Sequence, residues 1–252
     1  MSKEDGSFQS KAKLVKELVG YCTMILFDLF FEFDKDQLKQ FAKKKGQLRD
    51  HFRQSMFSLV GTGEDEQRQT NRFVAEWGRF YRDVLGMNVD FSHLVIPTKP
   101  NGDFWLIVVT PGLTYNVLVA KLRSLFDSWV YTDDLDKVIN MNKEQRRAIG
   151  KPYAIWVRAR VEADEENANK SANDLSNTPS LTLMERFLLE GIYFKKTGKH
   201  LDISNVTLCA GSRRLDGFVP GVDWDADVSK MGVYWSSAYY RDDDLRARTV
   251  FS

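Results

Sequence analysis

The sequence predicts an α+β chain, with a helical N-terminal region over 1–86 followed by a domain of short, mostly antiparallel strands and two helices over 87–252. Three observations carry that expectation. Apolar residues keep helical spacing from about residue 11 to residue 85. After Asn88 the pattern turns to short apolar runs broken by Gly, Pro, Asn and Asp. The last stretch, Cys209 to Ser252, contains no Glu or Gln and a single Lys, at 230, while Tyr, Ser, Asp, Arg and Gly crowd between strand signals. Rigid aromatic anchors mixed with small polar groups are the composition of an adaptable binding surface.

Composition narrows the class. A chain of 252 residues makes one large domain or two modest ones, long enough to bury a core without a metal or disulfide staple. With 43% hydrophobic and 28% charged residues it has the make-up of an ordinary soluble protein. A formal net charge of +1 supplies no field toward nucleic acid or an anionic membrane. Cys22 and Cys209 stand far apart in apolar surroundings, as small buried hydrophobes rather than a disulfide framework, which fits a reducing compartment. The most apolar run, Gly20 to Phe33, is short for a membrane span and carries Asp28 and Glu32. No signal peptide is visible, so a cytoplasmic protein is expected.

In chain order, Leu14, Leu18, Tyr21, Ile25, Leu29 and Phe33 mark the stripe of a first helix. Asp34 and Gln37 form a capping-box pattern opening a second, from Lys35 to about Leu59, which Gly61 and Gly63 break. A third runs from about Glu64 to Leu85, with Phe73, Trp77, Phe80, Tyr81 and Val84 on one side and Gly86 closing it. Strands are expected over Phe91–Ile96 and Phe104–Val109, separated by a turn at Lys99 to Gly102. Thr114 caps a helix whose face is Leu118, Leu122, Leu125, Phe126 and Trp129. Tyr153 to Val161 reads as a strand, and an acidic, Asn-rich connection follows to Asn177. Thr182 and Glu185 then make a capping box for a helix striped by Leu181, Met184, Leu188 and Ile192 and ended by Gly198. Val206–Ala210, Val219–Trp224, Gly232–Trp235 and Leu245–Phe251 are the remaining strands, with a tight turn at Asp216-Gly217.

Signals for chemistry are few. His51, His93 and His200 occur singly, without a partner at metal-ligand spacing, so no metal or other cofactor is expected. Gly61-Thr62-Gly63 lacks the third glycine and the preceding strand of a dinucleotide fingerprint, and no phosphate-cradling loop or nucleophile elbow occurs. Lys43-Lys44-Lys45 reads as a solvated helix face rather than a phosphate contact, so no nucleic-acid partner is expected. Asp133, Asp134 and Asp136 precede a helical turn, where carboxylates complement the dipole. Asp242-Asp243-Asp244 is a turn-rich solvated loop or, alternatively, a calcium loop. Arg246 and Arg248 alternate on one face of the last strand, either pinning the loops above through carboxylate pairs with the neighbouring aspartates or touching ligand.

Several separated motifs then occur in an order that resembles a known family. YAIWVRARVEADEENANKSANDLS, LTLMERFLLEGIYFKKTGKHLDISNVTLCAGSR, VPGVDW, VYW and LRARTVFS, spread over residues 90 to 252, resemble the variable proteins of diversity-generating retroelements. That resemblance implies a C-type-lectin-like domain of the subgroup shared with formylglycine-generating enzymes. It also implies a gene whose 3′ end is rewritten at adenines, turning AAY codons into NNY codons, which do not encode Glu, Gln, Lys, Met or Trp. The implied framework is Cys209, Gly211, Ser212, Arg213, Asp216, Gly217, Val219, Pro220, Trp224, Trp235, Leu245, Arg246 and Arg248. The implied variable, ligand-binding positions are Arg214, Phe218, Gly221, Asp223, Asp225, Ser236, Ser237, Ala238, Tyr239, Tyr240, Arg241, Asp242 and Asp243. Asp244 fits either group.

The functional expectation is a non-enzymatic binding protein with a protein or surface-glycan ligand, its N-terminal helices a candidate oligomerisation or docking region. The alternative is an enzyme on the formylglycine-generating fold. Such enzymes use two cysteines close together, whereas Cys22 and Cys209 fall in different regions.

Overall fold

The computed structural model of the chain describes residues 63–252, together with Glu17, residues 34–37 and Lys39. The expected first helix and most of the second lie outside the described residues. The capping box of the second is present: the Gln37 backbone N–H donates to Asp34 Oδ1 at 2.8 Å, and the Asp34 N–H donates to Gln37 Oε1 at 2.9 Å. The chain divides into two units, Met1–Glu64 and Asp65–Ser252. The second is an α+β unit of two sheets, and its helix α1 (Gly63–Phe80) extends as a π turn over Tyr81–Leu85. Gly86 ends this helix in the left-handed region at φ 70°.

The division falls at Glu64 rather than at residue 86, because α1 packs into the second core. Trp77 and Tyr81 are buried, and each polar tip finds a carbonyl of strand β1 (Phe104–Val109): Trp77 Nε1 donates to Leu106 O at 2.9 Å, and Tyr81 Oη to Val108 O at 2.8 Å. Large aromatic side chains with satisfied polar tips bring much apolar area out of water at no hydrogen-bond cost.

Strand β1 pairs antiparallel with β3 (Tyr153–Arg158), from Phe104 opposite Arg158 to Val109 opposite Tyr153. Between them lie helix α2 (Tyr115–Leu122), strand β2 (Ser128–Val130) and the short helix α3 (Leu135–Val138). Thr114 caps α2 as expected, its hydroxyl accepting from the Val117 N–H. The helix ends at Leu122, however, so Trp129 is not on its face but on β2. Phe91–Ile96 is likewise not a strand. The Asp90 carboxylate accepts from the Ser92 backbone and hydroxyl, and the Leu94 N–H closes a turn onto Phe91 O, which takes the donors a ladder would use.

Helix α4 (Leu183–Thr197) carries the expected capping box and the Gly198 stop, at φ 66°. It crosses the core against α1 and α2 so closely that a Cβ on Gly191 would stand 2.6 Å from Leu122 and 2.8 Å from Phe80. The second sheet takes the order β2-β6-β5-β4-β7, with β4 at Val206–Leu208, β5 at Val219–Asp225, β6 at Lys230–Ser236 and β7 at Leu245–Arg246. Strands β4, β5 and β6 are antiparallel, whereas β2 on β6 and β7 on β4 are parallel. The last expected strand is shorter than its apolar pattern: past Arg246 the chain leaves β4, and Phe251 instead exchanges two backbone hydrogen bonds with Trp156 of β3, at 2.8 and 2.9 Å. The C-terminus thus joins the two sheets.

A buried charge network fixes that junction. Arg186 of α4 reaches Glu190 Oε2 at 2.7 Å and Asp202 Oδ2 at 2.9 Å. Arg248 reaches Asp202 Oδ1 at 2.6 Å and the carbonyls of Arg160 and Val161 at 2.8 and 2.6 Å. The Thr207 hydroxyl also donates to Asp202. Two arginines and two carboxylates therefore balance in charge while supplying one another's hydrogen bonds, the condition under which buried ions persist.

Candidate binding face

Register places the site. In the β5–β6 hairpin Val219 stands opposite Ser236 and Asp225 opposite Lys230. The loop entering β5, residues 214–218, and the loop leaving β6, residues 237–244, consequently emerge side by side at one end of the sheet. Two adjoining clefts form there, of about 380 and 360 Å³.

Trp129, Tyr131, Tyr234 and Trp235 line the first cleft, with Arg214, Asp216 and Phe218 at its border with the second. The second continues over Ser237, Ala238 and Tyr239 to Asn140, Lys143, Asn173 and Arg213. Five of the expected variable positions are thus brought together: Arg214, Phe218, Ser237, Ala238 and Tyr239. Ser236 ends β6 beside them. Tyr240, Arg241, Asp242 and Asp243 continue the second loop; Tyr240 and Arg241 are exposed, the Tyr240 hydroxyl donating to Asp242 at 2.8 Å and Arg241 forking onto Asp174 at 2.7 and 2.8 Å. That guanidinium, the largest cause, holds the Asp174 carboxyl down at about 2.

Eight expected positions line neither cleft, and three of them lie further along β5. Gly221 is buried in the middle of β5, where a Cβ would meet Val206 at 3.0 Å, so it belongs to the frame rather than to the face. Asp223 and Asp225 lie toward the far end of the hairpin. Asp223 is half-buried, its carboxyl pushed up chiefly by burial, and the Asp225 carboxylate accepts from the Asp227 and Val228 N–H groups of the far turn. The residues that sequence reasoning missed are Trp129, Tyr131 and Tyr234. The run Trp129-Val130-Tyr131 alternates as a strand does, but Leu125 and Phe126 before it continue a helical spacing, which masked the alternation.

Both loops are anchored through the main chain. Arg214 bridges Ile139, with the Leu215 N–H donating to Val138 O and the Asn140 N–H to Arg213 O. On the other loop, the Asn173 N–H donates to Ala238 O, the Asn169 N–H to Asp242 O and the Val206 N–H to Asp244 O. Contacts of this kind hold a loop whatever its side chains are.

The frame behind the loops is tightly fitted. A Cβ on Gly211 would come within 2.5 Å of Ser180 O and 2.9 Å of Leu181 O. Trp224 stacks on His200 with ring centroids 3.2 Å apart, and Arg248 is buried in the network above. Arg248 thus has the structural role, through Asp202 rather than through the neighbouring aspartates, while Arg246 Nε donates to Asp243 O. Cys209 is fully buried and its thiol is pushed up by that burial. Next to Lys143 of the second cleft, Glu144 turns inward to accept from the Tyr115 hydroxyl at 2.9 Å, while its Oε1 has no partner. Burial, the largest cause, raises this carboxyl to about 7. Asp134 caps α3, and Asp136 accepts from the Tyr115 and Asn116 N–H groups, so this acidic cluster is engaged with helix N-termini.

Among the described residues no helix is long and apolar enough to cross a membrane. Comparison with known proteins adds no relative: no family model matches the chain, no curated protein matches it in sequence, and no solved structure matches it in fold.

Proposed function

We propose that the chain is a non-enzymatic ligand-binding protein of the retroelement-diversified kind, with a C-type-lectin-like second unit and a face at Arg214–Phe218 and Ser236–Asp243 that takes a protein or surface-glycan ligand. The observation that carries this reading is the convergence of Arg214, Phe218, Ser237, Ala238 and Tyr239 on two adjoining clefts. Main-chain anchoring of both loops supports it, since side chains there change at little cost to the fold. Exposed Phe218, Tyr239 and Tyr240 supply the aromatic anchors from which affinity is drawn.

The enzyme alternative is weaker. A catalytic cysteine needs an accessible thiolate, and Cys209 is buried with its thiol raised; Cys22 lies outside the described residues. The oligomerisation role expected of the N-terminal helices also falls outside them.

The test reads the 3′ end of this gene from many cells of one population. Substitutions should cluster at the loop codons between Arg214 and Asp243, spare Gly221 and Arg248, and be absent upstream of Cys209. Variation spread evenly along the gene overturns the reading, as does ligand binding that survives simultaneous Ala replacement of Phe218, Tyr239, Tyr240 and Arg241.

A further inference from the structure

The first cleft already holds one cation, and that cation belongs to the chain. The Arg214 guanidinium lies 4.9 Å from the centroid of the Trp235 ring and 3.0 Å from Asp216 Oδ2. A planar cation stacked on an indole with a carboxylate at its edge satisfies the two preferences of a guanidinium together: its face meets the π cloud and its N–H groups meet an anion. An ammonium has no flat face to use in this way.

The seat is built independently of its occupant. Trp235 Nε1 donates to Tyr131 O at 3.1 Å, which sets the plane of the indole. Trp129 packs at 5.5 Å against Tyr131 and at 5.9 Å against Tyr234, making an aromatic wall that includes two rings from outside the C-terminal stretch. None of these contacts involves the Arg214 side chain. Position 214 is itself anchored through its backbone, so a smaller side chain there leaves the loop and the seat in place.

We propose that this seat is built for a guanidinium: Arg214 fills it in this chain, and with a small residue at 214 it takes an arginine side chain of a partner protein. The inference rests on the binding-face reading above and gives it a ligand chemistry. With Arg at 214 the seat is filled from within and the rest of the face selects the partner. With a small residue at 214 the seat is vacant and the face selects for an exposed arginine. A single position thereby sets which class of epitope the surface accepts.

The experiment uses the full chain and its Arg214→Ser variant, with N-acetyl-arginine methylamide as probe. Binding is read from the indole N–H resonances of Trp129 and Trp235, with thermal unfolding as the check that both proteins are folded. The variant should bind the probe about tenfold more tightly than the parent, and adding Asp216→Asn should remove that gain. N-acetyl-lysine methylamide should bind the variant more weakly than the arginine probe, and N-acetylglucosamine should leave the two indoles unmoved. Equal binding by parent and variant overturns the proposal, as does a gain insensitive to Asp216→Asn or a preference for the sugar. Should Arg214→Ser be unfolded, Arg214→Gln serves, since it keeps length and removes the planar cation. Failure here, alongside clustered substitutions in the population, would reject the arginine seat while leaving the binding face standing.

Discussion

Two arginines near the C-terminus each meet an aspartate, and they do opposite things. Arg248 meets Asp202 at 2.6 Å in the interior, with Thr207, Arg186 and two backbone carbonyls packed around the pair. Arg241 meets Asp174 with equal geometric quality, at 2.7 Å, on the exposed loop. Water can replace either partner of the second pair but neither partner of the first. The difference separates a frame that cannot change from a surface that can, within one short segment.

The sharpest way to break this contrast is Asp202→Ala, which leaves two buried guanidinium groups facing each other with one carboxylate. A loss of about 3–5 kcal/mol is expected in urea unfolding; a loss as small as that of a surface change would show that the network is hydrated and the contrast false.

Glu144 sharpens the same comparison from the interior side. Its carboxyl rises from 4.5 in the unfolded chain to about 7 in the folded one, so the folded state binds this proton more tightly. Its contribution is therefore complete below pH 4.5 and is lost as pH climbs through about 7. Glu144→Gln keeps an acceptor for Tyr115 and removes the charge. Between pH 4.5 and pH 8 the parent should lose on the order of 3 kcal/mol relative to the variant. Parallel stability–pH curves would show Glu144 to be ionised without penalty.

Gly211→Ala should cost about 1–3 kcal/mol, because the new Cβ meets backbone carbonyls of Ser180 and Leu181 that cannot swing aside. Arg241→Ala closes the series. Its pair lies at the surface, so the urea midpoint should move by little, and a large shift would place the loop in the frame.

How legible these features were in the sequence depended on how local their causes are. The Thr182–Glu185 capping box, the Gly86 and Gly198 stops and the runs that became β1 and β3 all announce themselves within a few residues. Strand β2 did not, because its pairing with β6 is parallel and joins residues about a hundred positions apart. Phe91–Ile96 reads as a short apolar strand run, yet the Asp90 carboxylate captures the Ser92 donors, a competition invisible to composition. Arg248 was expected to be held by its neighbours, but its partner Asp202 comes from the segment between α4 and β4. The loops at 214–218 and 237–243 were readable as binding-type composition; only the hairpin register showed that they share one end while Asp223 and Asp225 lie toward the other.

The exchange of hydrogen bonds between Phe251 and Trp156 has a bearing on synthesis. Strand β3 emerges from the ribosome long before Phe251, the residue that covers it, which lies far downstream in the sequence. The second unit therefore completes its core only once Phe251 has been made and released from the ribosome. Any frameshift or premature stop in the final stretch leaves Trp156 uncapped and Asp202 without Arg248. The fold thus checks its own reading frame, because only products read correctly through Phe251 can close.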